Sequence, residues 1–237
     1  MSASLKDRTV LVIGRGSGIA RTVALSIREA GGTVVVAGHN QQALAAAYDP
    51  GITVEQVDLT DEISISALAK RLEHLDHVVL TASARARGAV GDLSHDTVLT
   101  SFDVKVVGPI LLAKRFAPRM PDGGSFVFFS GSSARKPTVG MLAVGATNAA
   151  VDAVTRTLAV ELAPIRVNAI SPGTIDTGAY DGLGDQKKAE LFAAREASSP
   201  AHRIGRSDDI ADAVLFALTT TFMTGISLGI DGGEPLI

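Results

Sequence analysis

Thr9-Val10-Leu11-Val12-Ile13-Gly14-Arg15-Gly16-Ser17-Gly18-Ile19-Ala20 runs an apolar strand into a glycine-rich turn and out into helical spacing. The strand has no polar alternation, as expected where helices cover both faces of a parallel sheet. Glycine lets the backbone turn tightly and approach a pyrophosphate. The following helix then offers free N–H groups and its positive dipole end to that anion. The literal G-x-G-x-x-G spacing fails, because Ile19 holds the last slot; G-x-x-x-G-x-(small) fits, with Gly14, Gly18 and Ala20. The alternative is a strand–helix turn that needs glycine for backbone reasons alone.

The same alternation continues along the chain. Further strands are predicted at Thr33–Ala37, Ile52–Val57, His77–Leu80, Ser125–Phe129, Arg166–Ile170 and Ser227–Ile230. Helices are predicted at Ile19–Ala30, Gln41–Tyr48, Ile63–Leu72, Thr97–Arg115, Gly140–Leu162, Gln186–Glu196 and Asp208–Leu218. This pattern implies an α/β doubly wound parallel sheet of about seven strands, Rossmann-like, in one domain over residues 1–237. The longest charge-free stretch, Ala213–Ile230, is broken by Thr219-Thr220-Thr221 and Thr224-Gly225, so it reads as helix end, turn and strand, not a membrane span.

Composition removes several chemistries. There is no Cys, which excludes a thiol nucleophile, a disulfide scaffold and a thiolate metal site. The five His are scattered without metal spacing and read as surface or cap residues. Net charge is −3 with no basic stripe, so neither nucleic acid nor an anionic membrane is an expected partner. Met1–Arg8 lacks an apolar signal core, and a cytoplasmic protein is expected.

The ordered motifs identify the chain as similar to the short-chain dehydrogenase/reductase family, over nearly its whole length. Besides the glycine turn, Asp58-Leu59-Thr60 resembles the family's adenine-binding segment. Ala82 is the one residue of Leu80-Thr81-Ala82-Ser83 that agrees with the family's Asn-Asn-Ala-Gly. Arg166-Val167-Asn168-Ala169-Ile170-Ser171-Pro172-Gly173-Thr174-Ile175-Asp176-Thr177 closely resembles its nicotinamide-side loop. Met223-Thr224-Gly225 and Ile230-Asp231-Gly232-Gly233 resemble its C-terminal signature. The resemblance implies cofactor contacts from Gly14, Arg15, Ser17, Gly18, Ile19, Asp58, Leu59, Ala82, Pro172, Gly173, Ile175 and Thr177. It also implies a homodimer or homotetramer formed through the two long helices and the last strand, acting on a small molecule.

NAD sites place an acid at the end of the second strand, to hold the ribose 2′-hydroxyl. Here that strand ends Ala37-Gly38-His39-Asn40. A carboxylate there would repel a 2′-phosphate, so its absence favours NADP(H) over NAD(H). Arg15, His39 and Asn40 are the candidate donors to that phosphate, unless Arg15 is simply solvated.

The catalytic positions break the resemblance. The family's Tyr falls at Val144, its Lys at Asn148, its Ser at Gly131 and its Asn at Lys105. Val144 carries no titratable proton. No shift of register restores one, since the two tyrosines are Tyr48 and Tyr180. Lys and Asn have changed places, so the Lys105 ammonium is expected to reach the same cleft and bind ribose or serve as an acid, unless it is salt-bridged to Asp103 or a neighbour. Asn148 is the residue that stands in the vacated lysine slot. Tyr180, in a glycine-rich segment expected to form a lid, is a second proton source or a packing residue. Ser132 and Ser133 are candidates to hold a carbonyl oxygen or loop residues. Arg85 and Arg87 are either attractors of an anionic substrate or solvated surface. Two functions stay open: an NADP(H)-dependent oxidoreductase reducing an activated carbonyl, quinone or imine with a non-standard proton donor, and an NADP(H)-binding sensor or scaffold without turnover. A non-redox reaction in the same cleft is a third.

Overall fold

Val10 and Val12 face one side of the first strand, Leu11 and Ile13 the other, and all four are buried. In the computed structural model, which describes residues 4–178 and 180–237, the chain therefore covers both faces of its sheet with helices. Ala179 of the expected lid lies outside the described residues. So do Met1–Ala3, on which part of the N-terminal leader reading rests.

In chain order the elements are β1 (Thr9–Ile13), α1 (Gly18–Glu29), β2 (Thr33–Gly38), α2 (Gln41–Ala47), β3 (Thr53–Gln56), α3 (Glu62–Arg71) and β4 (His77–Leu80). There follow α4 (His95–Phe102), α5 (Gly108–Phe116), β5 (Ser125–Phe129), α6 (Leu142–Glu161) and β6 (Arg166–Pro172). The chain ends with β7 (Ile175–Asp176), α7 (Asp185–Ser198), β8 (Gly205–Arg206), α8 (Ser207–Thr219) and β9 (Ser227–Ile230).

Seven strands form one parallel sheet in the order β3-β2-β1-β4-β5-β6-β9. Ile13 pairs with Leu80, so Gly14 and Thr81 leave the sheet side by side at the point where the strand order reverses. Open α/β sheets bind ligands in that crevice. The small pair β7–β8 was not expected from sequence; two residues per strand carry no periodicity to read.

One layer packs α3, α5 and α6 on Leu11, Ile13, Val78, Leu80, Phe126 and Phe128. The other packs α1 and α8 on Val10, Val12, Val34, Val36, Val79 and Val127. Side chains two apart share a face, so each apolar run serves both layers. The sheet's far edge is held by polar side chains that also explain two sequence motifs. Arg166 donates to the carbonyls of Ala217 and Leu218, each at 2.8 Å, placing a cation on the C-terminus of α8. Asn168 Nδ2 donates to the Met223 carbonyl at 2.9 Å, and its Oδ1 accepts from the Ile226 N–H at 3.2 Å.

Two expectations change. The helix read as Thr97–Arg115 is α4 and α5 joined by a π-helical turn, Asp103–Val107, in which the Gly108 N–H reaches the Asp103 carbonyl. The five His are not all surface or cap residues. His77 is buried on β4 and hydrogen-bonded through Nδ1 to Ser125 Oγ of β5 at 2.9 Å. A polar pair facing across adjacent strands satisfies itself inside the sheet. Among the described residues no helix is long and apolar enough to cross a membrane.

Burial lowers the His77 pKa from 6.5 to about 4, with Asp76 opposing and Arg166 and Arg8 reinforcing. Between those values the unfolded chain binds more protons than the fold. The stability is therefore complete above about pH 6.5 and is lost as pH falls toward 4, amounting to about 3 kcal/mol. Urea unfolding of a His77→Gln variant should show a shallower loss of stability over that interval than the parent. Parallel acid limbs would contradict the assignment.

Candidate active site

The crevice at the reversal point opens into a cavity of about 1100 Å³, large enough for a dinucleotide and a small substrate. Gly14 forms its floor. A Cβ built there would lie 2.1 Å from Thr81 Oγ1, which itself donates to the Ile13 carbonyl at 3.1 Å. The turn is thus locked against β4, and any side chain at Gly14 would push it open. Gly18 opens α1 at φ +55°, a left-handed conformation that suits glycine. Ser17 precedes it without a side-chain cap, so the first N–H groups of α1 are not taken by a capping oxygen. By contrast α2, α3 and α4 are capped by Asn40, Asp61 and Ser94.

These features fit the residues to a bound dinucleotide: a bare turn, an uncapped twelve-residue helix and a long cavity. Gly14, Arg15, Ser17, Gly18, Ile19, His39, Asp58, Leu59, Ala82, Pro172, Gly173, Ile175 and Thr177 all line the cavity. Asn40 is the one proposed cofactor contact absent from the lining. Its Oδ1 instead accepts from the Ala43 N–H at 2.9 Å. Asp58 spends Oδ1 on the Thr60 N–H and hydroxyl, at 2.9 and 2.7 Å, and those bonds hold its pKa below the ordinary carboxylate value. Its other oxygen lies 3.6 Å from His39 Nδ1.

The cavity lining also contains Lys105, Gly131, Val144 and Asn148, the positions singled out in the sequence. Lys105 projects from the π-helical turn into the wall of the cavity and is 7% exposed. Its Nζ donates to Asn148 Oδ1 and, at 3.3 Å, to the Ser130 carbonyl. An ammonium has three protons, and the described residues take two. Burial first, and then Arg85, lowers its pKa to about 7, with Asp152 opposing. No bond joins Lys105 to Asp103 among the described residues, which removes the salt-bridge alternative.

Asn148 lies on α6, with its carbonyl accepting from Ser130 Oγ at 3.1 Å. A Cβ on Gly131 would sit 2.7 Å from Asn148 Nδ2. Gly131 has φ 167°, extended backbone open to any residue, so the amide alone excludes a side chain there. Three of these four positions are therefore one packing unit: Lys105 holds Asn148, and Asn148 fills the space above Gly131. Val144, 5% exposed, seals the wall beside them.

Ser132 is half-buried and lines the cavity. Tyr180 also lines it, but its ring packs edge-on against Phe192 of α7 with centroids 5.5 Å apart. Lys188 ties this segment down by pairing with Asp176 at 3.1 Å and Asp181 at 2.7 Å. Sequence reading missed several contributors. Thr81 locks the glycine turn, Ser130 orients both Lys105 and Asn148, and Glu234 accepts from the Thr174 N–H at 2.7 Å while buried. Lys136 and Arg195 also reach the cavity. Only Ser130 had a sequence signal, its place at the exit of β5.

A family model described as enoyl-(acyl carrier protein) reductase matches residues 13–234. The short-chain dehydrogenase/reductase ATR9 of Stachybotrys chlorohalonatus is 31% identical, with 98% of this chain and 99% of the relative covered. The 1-cyclohexenylcarbonyl-CoA reductase of Streptomyces collinus is 32% identical, with 96% and 86% covered. A crystal structure of a small-chain dehydrogenase in complex with NADPH superposes with a TM-score of 0.86 at 33% identity, covering 97% of this chain and 99% of that one.

If Gly131 and Asn148 share one space, Gly131→Ser should destabilise the protein by about 1–2 kcal/mol. The cost should largely vanish in an Asn148→Ala background, as a double-mutant cycle would measure. Additive costs would contradict the shared packing.

Proposed function

This chain is an oxidoreductase of the short-chain dehydrogenase/reductase family, and we propose that it is an NADP(H)-dependent reductase of an activated carbonyl, quinone or imine whose proton donor is Lys105. The observation that carries this reading is the Lys105 ammonium, buried in the cavity wall with one proton left over.

The cofactor, when bound, supplies a hydride to the carbonyl carbon. The chain's own part is to receive the charge that develops on oxygen. Lys105 donates its third proton to that oxygen, completing the alcohol, and is left as a neutral amine. With a pKa of about 7 neither form is strongly disfavoured near neutrality. Asn148 and the Ser130 carbonyl hold the amine in place during the exchange, and water restores the proton. Asn148 Nδ2, which makes no protein hydrogen bond among the described residues, is a second donor for the oxygen. Ser132 at the exit of β5 offers a hydroxyl on the same side. Tyr180 and the segment around it cover the substrate.

Preference for the phosphorylated cofactor is supported at the other end. β2 ends at Gly38 without an acid, and Arg15 is exposed in the cavity with no ion-pair partner among the described residues. A homodimer or homotetramer is proposed on the family resemblance. Exposed apolar side chains on α4 to α6, namely Leu99, Val107, Ile110, Leu142 and Val160, support it.

The test is loss of nicotinamide absorbance when the protein is mixed with NADPH and a panel of quinones, dicarbonyls and imines. Turnover is expected on members of the panel and should fall by about 10²–10⁴-fold in Lys105→Met. The acid form is present below the pKa, so reduction should slow as pH rises through about 7. Arg15→Ala should weaken NADPH more than NADH. Unchanged turnover in Lys105→Met would overturn the donor assignment. Tight NADPH binding with no turnover on any substrate would favour the sensor reading, and no binding would defeat both.

A further inference from the structure

Four cations line the cavity from three separate elements, and one of them, Arg85, acts electrostatically on Lys105. Arg85 and Arg87 come from the loop after β4, Lys136 from the loop after β5, and Arg195 from α7. None of the four pairs with a carboxylate among the described residues, although the chain as a whole carries a net charge of −3. The carboxylates that line the cavity are spoken for. Glu234 is bonded to the Thr174 N–H, and Asp58 is bonded to Thr60 at the adenosine end.

Cations of one sign gathered in a concave wall repel each other and lack the full hydration that an open surface would give. Arg85 shows this. It is exposed to the cavity, and desolvation first, then repulsion from Arg87 and Arg15, pushes it below its ordinary value, with Tyr180 opposing. Such a cluster is held at a cost unless an anion enters it. Guanidinium groups favour carboxylates and phosphates through paired, planar hydrogen bonds. The same cavity is also lined by the apolar Val144 and Leu191.

We propose that the substrate of this cavity is an anionic carbonyl compound, an apolar body with a carboxylate or phosphate group that Arg85, Arg87, Lys136 and Arg195 hold while its carbonyl lies at Lys105. This inference rests on the reductase reading above and names its substrate class. The same cations raise the encounter rate of anions and orient them carbonyl-first.

The test compares three acetophenones of one shape: 4-acetylbenzoate, 4-acetylphenyl phosphate and neutral 4-acetylbenzamide. Binding is measured by calorimetry on the unmutated protein, with and without saturating NADPH, so that one arm covers the phosphate turn. At least one anion should bind about tenfold or more tightly than the amide. The advantage should shrink with added salt, and the tighter anion names the group. Arg85→Met combined with Arg195→Met should bring it down to the amide's affinity. The salt dependence carries the same information without any substitution. Equal affinity for anions and amide, a preference that survives both substitutions, or no binding of any probe would overturn the proposal. Anion preference without NADPH oxidation would defeat the reductase reading and leave the charge selection standing. Oxidation of NADPH on neutral and anionic carbonyls alike would do the reverse.

Discussion

An ammonium group inside a protein must find acceptors or surrender its proton, because the low-dielectric interior cannot replace its hydration. Lys105 finds two, the side-chain oxygen of Asn148 and the backbone carbonyl of Ser130. That pairing fixes the Asn148 amide, and the amide occupies the space where a side chain on Gly131 would go. Ser130 closes the circle by donating to the Asn148 carbonyl. The far end of the cavity is thus one polar network, in which each residue type depends on its neighbours.

This network explains how Lys105, Ser130, Gly131 and Asn148 keep one shape together. Without the Asn148 amide, the buried cation would keep only the Ser130 carbonyl among the described residues. The network holds one cation and one amide in contact, with the charge on the turn between α4 and α5. The π-helical geometry of that turn, Asp103–Val107, is where Lys105 leaves the helix for the cavity. The cofactor end is built differently. Gly14 is held against Thr81, and α1 begins without a capping side chain.

Much of the fold was legible in the residues. Apolar runs marked the central strands of the main sheet, because both faces are covered and no alternation intervenes, whereas the edge strands β3 and β9 carry polar residues. The glycine turn and the missing acid after β2 were visible as types at fixed spacing. The absence of a tyrosine between Tyr48 and Tyr180 was visible on residue types alone. The π-helical turn was not legible, since such single-turn bulges are rare and the stretch Asp103–Val107 reads equally well as uninterrupted helix. His77 was misread because burial of a histidine depends on its partner, and Ser125 is 48 positions away in sequence. Lys136 and Arg195 were invisible for the same reason: only the folded chain brings them beside Arg85.

The central claim is that Lys105 is a buried, hydrogen-bonded amine poised to exchange its proton near neutrality. The most direct measurement is an NMR titration of the Lys105 side chain, assigned by comparison with Lys105→Met. The account predicts a midpoint of about 7. A midpoint at the ordinary lysine value near 10.5 would contradict it.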